Sequence, residues 1–283
     1  MKIIFSIYLF YAKFRYVLFR VFLRLKWGKQ KRNQYLKENG IFLSDFLPER
    51  TYSFNNFKAI IRKGSNDFQM FCLPREEEIV NSVKLNANET FVDVGANVGA
   101  YTLKIASNYK DKAIKVIAIE AHPGNYKALC KNIEVNKFTN IHAINKAVSD
   151  HKGIVKMYER KILKRVQPEW YTTLETISGH KLDKRYSLEI ECDTLDSILE
   201  NYTVDFIKID IEGAEIEALK GATNTLERLR KIIVEIHENN FDKVKQILED
   251  HNYEIEIMTN KIEKSEGFVM GTKNKSSSSN LTM

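Results

Sequence analysis

The chain predicts an α/β fold built on a parallel sheet, and three observations carry that expectation. Phe91 to Tyr101 reads FVDVGANVGAY, a strand-forming run that passes into a loop with Gly95, Asn97 and Gly99 and then into a helical pattern. From there on, short apolar strand patterns alternate with helical ones, as parallel strands joined by crossover connections require. Carboxylates close several of these strands, at Glu120, Asp210 and Glu235.

With 283 residues, 43% of them apolar, the chain can bury a large core and suits one substantial domain with appendages. The net charge of +7 comes from 44 basic and 37 acidic residues. These signs are interspersed, so a mixed surface with its excess at one end is expected, and no nucleic-acid partner is. Cys72, Cys130 and Cys192 are far apart and form no C-x-x-C pair. Neither a disulfide framework nor a zinc site follows, and a reducing, cytoplasmic setting is expected.

Taken in order, residues 1–30 form a basic, aromatic-rich segment. Ile3 to Ala12 is apolar, but Lys13 and Arg15 interrupt it, short of the roughly twenty residues that span a bilayer as a helix. It lacks the small-residue cleavage site of a secretory signal. At about 100° per residue, Lys2, Lys13, Arg20, Arg24 and Lys31 fall within about 40° of one another beside an apolar surface. Arg15 and Lys26 fall on the other side and weaken the stripe. The pattern suits a helix lying in a membrane interface, cations near anionic lipid; packing on the protein's own body or on a partner subunit is the alternative.

Residues 31–75 read as an irregular segment. Asn39-Gly40, Pro48 and Lys63-Gly64-Ser65 separate short pieces such as Tyr52–Ile61 that suit edge strands, and no chemistry is assigned there. Pro74 opens an acidic first turn, and Ile79, Val80 and Val83 continue at helical spacing into the Phe91 strand. After the glycine loop a helix ends near Asn108. Lys115 to Ala121 is an apolar strand closing on Glu120, Gly124 to Asn136 a helix, and Ile141 to Val148 a third strand. Residues 151–192 break the rhythm, with Ile154–Tyr158 and Ser187–Cys192 as strands around an insertion containing Trp170, Tyr171 and His180. His180 reads as a surface histidine. A short helix follows Asp193, then a buried strand from Val204 to Ile211 ending in Asp210-Ile211-Glu212-Gly213-Ala214-Glu215. One helix sets Leu219, Ala222, Leu226 and Leu229 against the sheet. Lys231 to His237 is a fifth strand, Phe241 to Leu248 a helix, and Tyr253–Thr259 with Gly267–Gly271 a terminal strand pair. Lys273 to Met283, with four consecutive serines, is expected to be disordered.

Strand, tight turn and helix N-terminus in that order make a nucleotide-binding corner. Glycine lets the backbone approach a ligand with no Cβ in the way, and first-turn N–H groups point into the same space. Glu120 stands about twenty-five residues beyond Gly95, where nucleotide-binding α/β folds place a carboxylate that accepts from both ribose hydroxyls. The G-x-N-x-G spacing departs from the G-x-G-x-x-G of nicotinamide dehydrogenases. Asp210 and Glu212 share side-chain parity, as do Glu235 and His237, so two adjacent strands deliver four polar groups to one rim. Trp170 and Tyr171 are candidate substrate-facing residues or, equally, a cap on the hydrophobic edge of the domain.

FVDVGANVGAYTL, VIAIEAHPGNYKALCKNIEVN, NKAVSD, ECDTLDSIL, DFIKIDIEGAEIEALKGA and IIVEIHENN, in that order, resemble the FkbM-type S-adenosylmethionine-dependent methyltransferases over about residues 76–240. IKIDIEGAE is the most specific of these motifs. The resemblance implies a class I methyltransferase fold over residues 76–272: Rossmann-like, doubly wound, with a seven-stranded, mostly parallel sheet carrying one antiparallel strand. It implies S-adenosylmethionine as cofactor and O-methylation of a hydroxyl on a sugar, glycan, lipid or other secondary metabolite. By the same resemblance Gly95, Asn97 and Gly99 surround the methionyl end of the cofactor, Asp93 supports it from the strand, and Glu120 holds the ribose. Asp210 sits near the sulfonium, with Glu212 and Glu215 completing the motif and Glu215 on the acceptor side.

Methyl transfer to oxygen needs the acceptor aligned and its proton removed. His237 is the first choice of base and Asp210 the second. No resident metal is expected, although Asp210, Glu212, Glu235 and His237 are of the types that hold a divalent cation, and metal-assisted transfer is one alternative. A non-catalytic adenosyl-cofactor-binding protein of the same fold is another. The expected partners are a small-molecule or glycan acceptor and, through residues 1–30, a membrane surface; the oligomeric state is not readable.

Overall fold

The structure is a computed structural model. It describes residues 13–22, 46, 48–72, 74–162, 165–172, 176–177, 180–181, 187–237, 240–258 and 267–274, with the side chains of 74–76 and 159–186 outside the description. The serine-rich tail beyond residue 274 and most of residues 1–45 also lie outside it.

Residues 13–22 form α1. A hairpin of β1 (Arg50–Ser53) and β2 (Lys58–Ile61) precedes α2 (Asp67–Cys72) and α3 (Pro74–Ser82). The chain then runs β3 (Thr90–Val94), α4 (Ala100–Asn108), β4 (Lys115–Ile119), α5 (Pro123–Asn136) and β5 (Ile141–Ile144). Next come β6 (Ala147–Val148), β7 (Gly153–Ile162), β8 (Arg165–Thr172), β9 (Thr176–Ile177), β10 (His180–Lys181) and β11 (Ser187–Asp193). The last part is α6 (Leu195–Ile198), β12 (Phe206–Ile209), α7 (Glu215–Lys220), α8 (Thr223–Arg228), β13 (Lys231–Ile236), α9 (Phe241–Asp250), β14 (Tyr253–Ile257) and β15 (Gly267–Lys273).

The central sheet has seven strands in the order β14-β15-β13-β12-β3-β4-β5. β13, β12, β3, β4 and β5 are parallel, and β15 runs antiparallel to both neighbours. This is the implied doubly wound sheet with one reversed strand. From β3 the chain winds outward through β4 and β5, then crosses back to β12 and winds the other way through β13. Ligands of such sheets bind where the order reverses, at the carboxyl ends of the two diverging strands, here β3 and β12.

Alternation along the strands assigns the two faces. Val92, Val94, Ile117, Ile119, Ile207, Ile209, Ile232 and Val234 pack with Leu195, Leu219, Leu226 and Val244 from α6, α7, α8 and α9. Phe91, Val116, Phe206 and Ile233 point the opposite way, onto Ile79 of α3, Val83 just past it and Ile105 of α4. On that second face Asp93 and Lys208 occupy positions where the strand pattern calls for apolar side chains, and both are buried.

Three expectations change. Ile141 to Val148 is not one strand: β5 stays in the central sheet, while β6 joins a second, four-stranded sheet ordered β6-β11-β7-β8. Asn145 makes the break, donating from Nδ2 to the carbonyls of Glu120 and Ala121 at 2.8 and 2.9 Å. The single helix expected over Leu219 to Leu229 is two, α7 and α8, because the chain at Gly221 presses on the loop after β6. A Cβ there would lie 2.2 Å from the Ser149 carbonyl oxygen. The Tyr52–Ile61 strands form their own hairpin on α5 rather than an edge of the sheet. Asn132 and Asn136 accept from the Ile60 and Lys58 N–H groups, both at 2.7 Å.

Asn132 is fully buried and also donates to the Val98 carbonyl at 2.9 Å, joining hairpin, α5 and glycine loop. Removing it strands two backbone groups without partners, so Asn132→Ala is expected to lower stability by about 2 kcal/mol or more. Urea unfolding reads the loss; a change within about 0.5 kcal/mol would mean that the hairpin is not anchored there.

Candidate active site

The corner after β3 is shaped by backbone that leaves no room for side chains. Gly95, Asn97 and Gly99 have φ of 79°, 51° and 94°, left-handed values that favour glycine and tolerate asparagine. A Cβ on Gly95 would lie 1.8 Å from the Asp210 carbonyl oxygen, and one on Gly99 2.8 Å from Leu129 Cδ1. The glycines therefore do more than open a path to a ligand: they let the loop seat against the end of β12 and against α5.

Glu120, just past β4, organises the outer wall of this corner. Its Oε2 accepts from the Asn97 N–H at 2.7 Å and its Oε1 from the His122 N–H at 2.9 Å. Burial pushes its carboxyl up to about 7 against these two bonds, with the Asp93 charge adding to the rise. His122 caps α5, its Nδ1 accepting from the Gly124 and Asn125 N–H groups. Burial and the neighbouring Arg62 push it down to about 4, so it caps as the neutral ring.

Asp93 lies under the loop, fully buried. Its Oδ2 accepts from the Thr102 N–H at 3.1 Å and from Thr102 Oγ1 at 2.7 Å, pinning the first turn of α4 to β3. Its Oδ1 lies 3.4 Å from Lys208 Nζ, and the same ammonium is 3.2 Å from Asp210 Oδ2 and 4.5 Å from the centroid of the Tyr101 ring. Lys208 pairs directly with Asp93 in the β12–β3 register, which explains the contact. No sequence motif marks Lys208, and its signal is a lysine inside the apolar run Phe206-Ile207-Lys208-Ile209: a buried ammonium needs a buried partner.

The end of β12 carries the second cluster. The strand stops at Ile209, and Glu212 and Gly213 turn sharply with φ of 53° and 107°. Burial works against the charge of Asp210, but Lys208 and then His237 hold its carboxyl below the usual range. Glu235, on β13, hydrogen-bonds Asp210. His237, just past β13, donates from Nδ1 to Glu215 Oε1 at 2.9 Å, and its Nε2 lies 3.7 Å from Glu212 Oε2. Burial disfavours the imidazolium, yet Glu215, Glu212 and Asp210 outweigh it and push His237 up to about 10. One ligand-type atom each from Asp210, Glu212 and His237 lies within 4.8 Å of the others.

So the structure gathers Asp93, Gly95, Asn97, Gly99, Glu120, Asp210, Glu212, Glu235 and His237 at the carboxyl ends of neighbouring strands. Glu215 is a correction. It is fully buried, and its Oε1 accepts from His237 Nδ1 and from the Gly213 N–H at 2.9 Å, so it holds the corner from beneath instead of touching an acceptor. Trp170 and Tyr171 lie on β8, with Tyr171 paired to Glu159 of β7; their side chains, and that of His180 on β10, fall outside the described residues.

A family model described as the methyltransferase FkbM domain matches residues 93–255, more than half of the chain, from the end of β3 through β12 and β13. The chain belongs to this family. Its similarity extends to individual proteins. The methyltransferase sdnD of Sordaria araneosa is 26% identical over 206 residues, covering 60% of this chain and 76% of that one. The hexuronic acid methyltransferase AglP of Haloferax volcanii is 28% identical over 206 residues, covering 69% of this chain and 76% of that one. Among solved structures, an FkbM methyltransferase from Methylobacillus flagellatus matches with a TM-score of 0.50 at 19% identity, over 68% of this chain and 45% of that one. This chain spans less than half of that protein, and the likeness supports the fold.

As an FkbM methyltransferase the protein uses S-adenosylmethionine, and the corner suits that molecule on its own chemistry. The ribose supplies two hydroxyl donors, and Glu120, a carboxyl driven up by burial, would be the group to accept them. The loop of Gly95, Asn97 and Gly99 would hold the amino acid end, and Asp210 would stand beside the reacting end.

Lys208 is the counter-ion for two carboxylates of this site. Lys208→Met is expected to cost about 3–5 kcal/mol in urea unfolding, because Asp93 and Asp210 are left facing each other without it. A loss below about 1 kcal/mol would show that those carboxylates find compensation elsewhere.

Proposed function

We propose that this methyltransferase acts on oxygen, at a hydroxyl of a sugar or glycan. The single observation that carries the reading is the cluster of Asp210, Glu212 and His237 at the end of β12, next to the cofactor corner. A hydroxyl acceptor must lose a proton, and these are the groups in reach that could take it. The similarity to a hexuronic acid methyltransferase supports a sugar as acceptor.

When bound, S-adenosylmethionine supplies a methyl carbon activated by a positively charged sulfur. The residues of the chain do the rest. Glu120 and the glycine loop fix the cofactor end, and the acidic corner aligns the acceptor oxygen, a contribution that reaches roughly 7–11 kcal/mol in well-oriented reactions. Asp210 is the group assigned to receive the hydroxyl proton, and this reverses the order expected from the motifs. Both ring nitrogens of His237 already face carboxylates, Glu215 at 2.9 Å and Glu212 at 3.7 Å, so its role is to hold Glu212 and Asp210 in place. A weak base is enough for the task. As the oxygen–carbon bond forms, the hydroxyl becomes an oxonium whose proton is far more acidic than a carboxylic acid.

A radiolabelled methyl donor with a panel of glycans tests the reading. Asp210→Asn is expected to lower kcat by about 10²–10⁴-fold while leaving cofactor affinity within a fewfold, and His237→Gln by less. Full turnover in Asp210→Asn would remove it as the proton acceptor. Binding of the cofactor with no acceptor methylated across the panel would favour a binding protein of the same fold.

Cofactor affinity carries its own pH signature. Both oxygens of Glu120 are free to act as acceptors for the two ribose hydroxyls only when it is ionised, and its carboxyl sits at about 7, so binding that favours the ionised form displaces a proton below that pH. Affinity for S-adenosylmethionine is expected to fall as pH drops from about 8 to about 5.5, and Glu120→Gln to weaken binding and flatten the profile. Calorimetry reads both; a flat wild-type profile would mean that Glu120 does not hold the ribose.

The same corner supports a second reading, metal-assisted transfer. Asp210, Glu212 and His237 converge within 4.8 Å, and the hydrogen bond from His237 Nδ1 to Glu215 is the kind of outer contact that orients a ligating imidazole. Exhaustive chelation followed by Mg²⁺ or Mn²⁺ decides it: turnover that survives chelation excludes the reading, and turnover lost and then restored by the ion supports it.

A further inference from the structure

α1 presents two unlike sides. Tyr16 and Phe19 lie 5.6 and 5.8 Å, ring centroid to centroid, from Phe46, so one side rests on that residue. On the other side Phe14, Val17, Leu18, Val21 and Phe22 are 52%, 53%, 51%, 46% and 59% exposed. At helical spacing these five residues cover an arc of about 140°. Lys13 and Arg20 border one edge of that arc and Arg15 borders the other. Arg15 therefore completes the amphipathic pattern it was expected to weaken.

The charge of the chain is concentrated in the same segment. Residues 1–32 contain nine of the 44 Lys and Arg and none of the 37 Asp and Glu, which leaves 35 basic against 37 acidic residues in the remainder. The positive excess of the molecule thus belongs to this end alone. A run of large exposed apolar side chains bordered by cations marks an interaction surface. Among the described residues no helix is long and apolar enough to cross a membrane, and the ten described residues of α1 span about 15 Å.

We propose that this face of α1 docks the protein on an anionic lipid surface. The helix lies along the bilayer with Phe14, Val17, Leu18, Val21 and Phe22 at the boundary between headgroups and acyl chains, and with Lys13, Arg15 and Arg20 at phosphate depth. A second copy of the chain is the competing occupant. It would bring like rows of cations together along both edges of the arc, whereas a layer of anionic headgroups neutralises them.

Flotation of the full chain with vesicles tests the proposal, using phosphatidylcholine alone and phosphatidylcholine with about 30% phosphatidylserine. The protein is expected to float with the anionic vesicles and remain below with the neutral ones. The double variant Val17→Asp/Val21→Asp should float with neither, while circular dichroism and thermal unfolding match the parent. Lys13→Gln/Arg20→Gln should bind anionic vesicles more weakly, by roughly fivefold per cation removed. Absence of the parent from the anionic vesicles, or equal flotation of the Val17→Asp/Val21→Asp variant, overturns the proposal. So does a dimer in sedimentation equilibrium that this variant abolishes, since the arc then belongs to a second copy. None of these readouts depends on the acceptor or on turnover.

Discussion

An ammonium group buried between two carboxylates holds this site together. Lys208 is almost fully enclosed, and stripping its charge of water costs several kcal/mol unless partners of opposite sign lie within reach. Asp93 and Asp210 are those partners, at 3.4 and 3.2 Å. Asp93 reaches it because the two residues are paired in the β12–β3 register, and Asp210 because it follows Lys208 by two residues at the strand end. Asp93 also pins the start of α4 through Thr102. A single charge thus fixes the cofactor loop and the acidic corner relative to each other.

Two further contacts make the arrangement stiff. The Gly95 backbone presses against the Asp210 carbonyl, which excludes any side chain there, and Glu215 ties His237 to the turn at Gly213. The corner that results is rich in acidic groups, with Asp210, Glu212, Glu215 and Glu235 around one imidazole and one lysine, Glu235 donating to the Asp210 carboxylate. That polarity matches the reaction of a methyltransferase, in which the donor arrives positively charged and the acceptor oxygen becomes positive as the bond forms.

Much of this was legible in the residues because it depends on local pattern. The strand–glycine–helix sequence at Phe91–Tyr101 and the acid at Glu120 follow from periods of two and from turn chemistry, whereas Asp210 and Glu212 meet through the turn after Ile209 and not through shared strand parity. What could not be read depends on which strands become neighbours. Lys208 looked like an interruption in an apolar strand, since its value comes from a register partner 115 residues away. Glu215 read as an acceptor contact because its motif places it at the strand end, while its burial is set by β13 arriving beside it. The break at Asn145 and the division of α7 from α8 share that origin: each is imposed by a distant backbone, the carbonyls of Glu120 and Ala121 in one case and that of Ser149 in the other.

The break at Asn145 separates two sheets that meet over only a few residues. β5 belongs to the sheet that carries the cofactor corner, and β6, two residues later, opens the sheet that runs out through β7 and β8 and returns along β11. Its apolar side, Met157, Ile190 and Cys192, rests on Ala121, the neighbour of Glu120. Departure and return lie side by side, since β6 and β11 are paired in parallel. The excursion from Gly153 to Asp193 is therefore a cassette with a common entry and exit. Its two ends, with Ala147 paired to Cys192, leave and rejoin the central fold at one place.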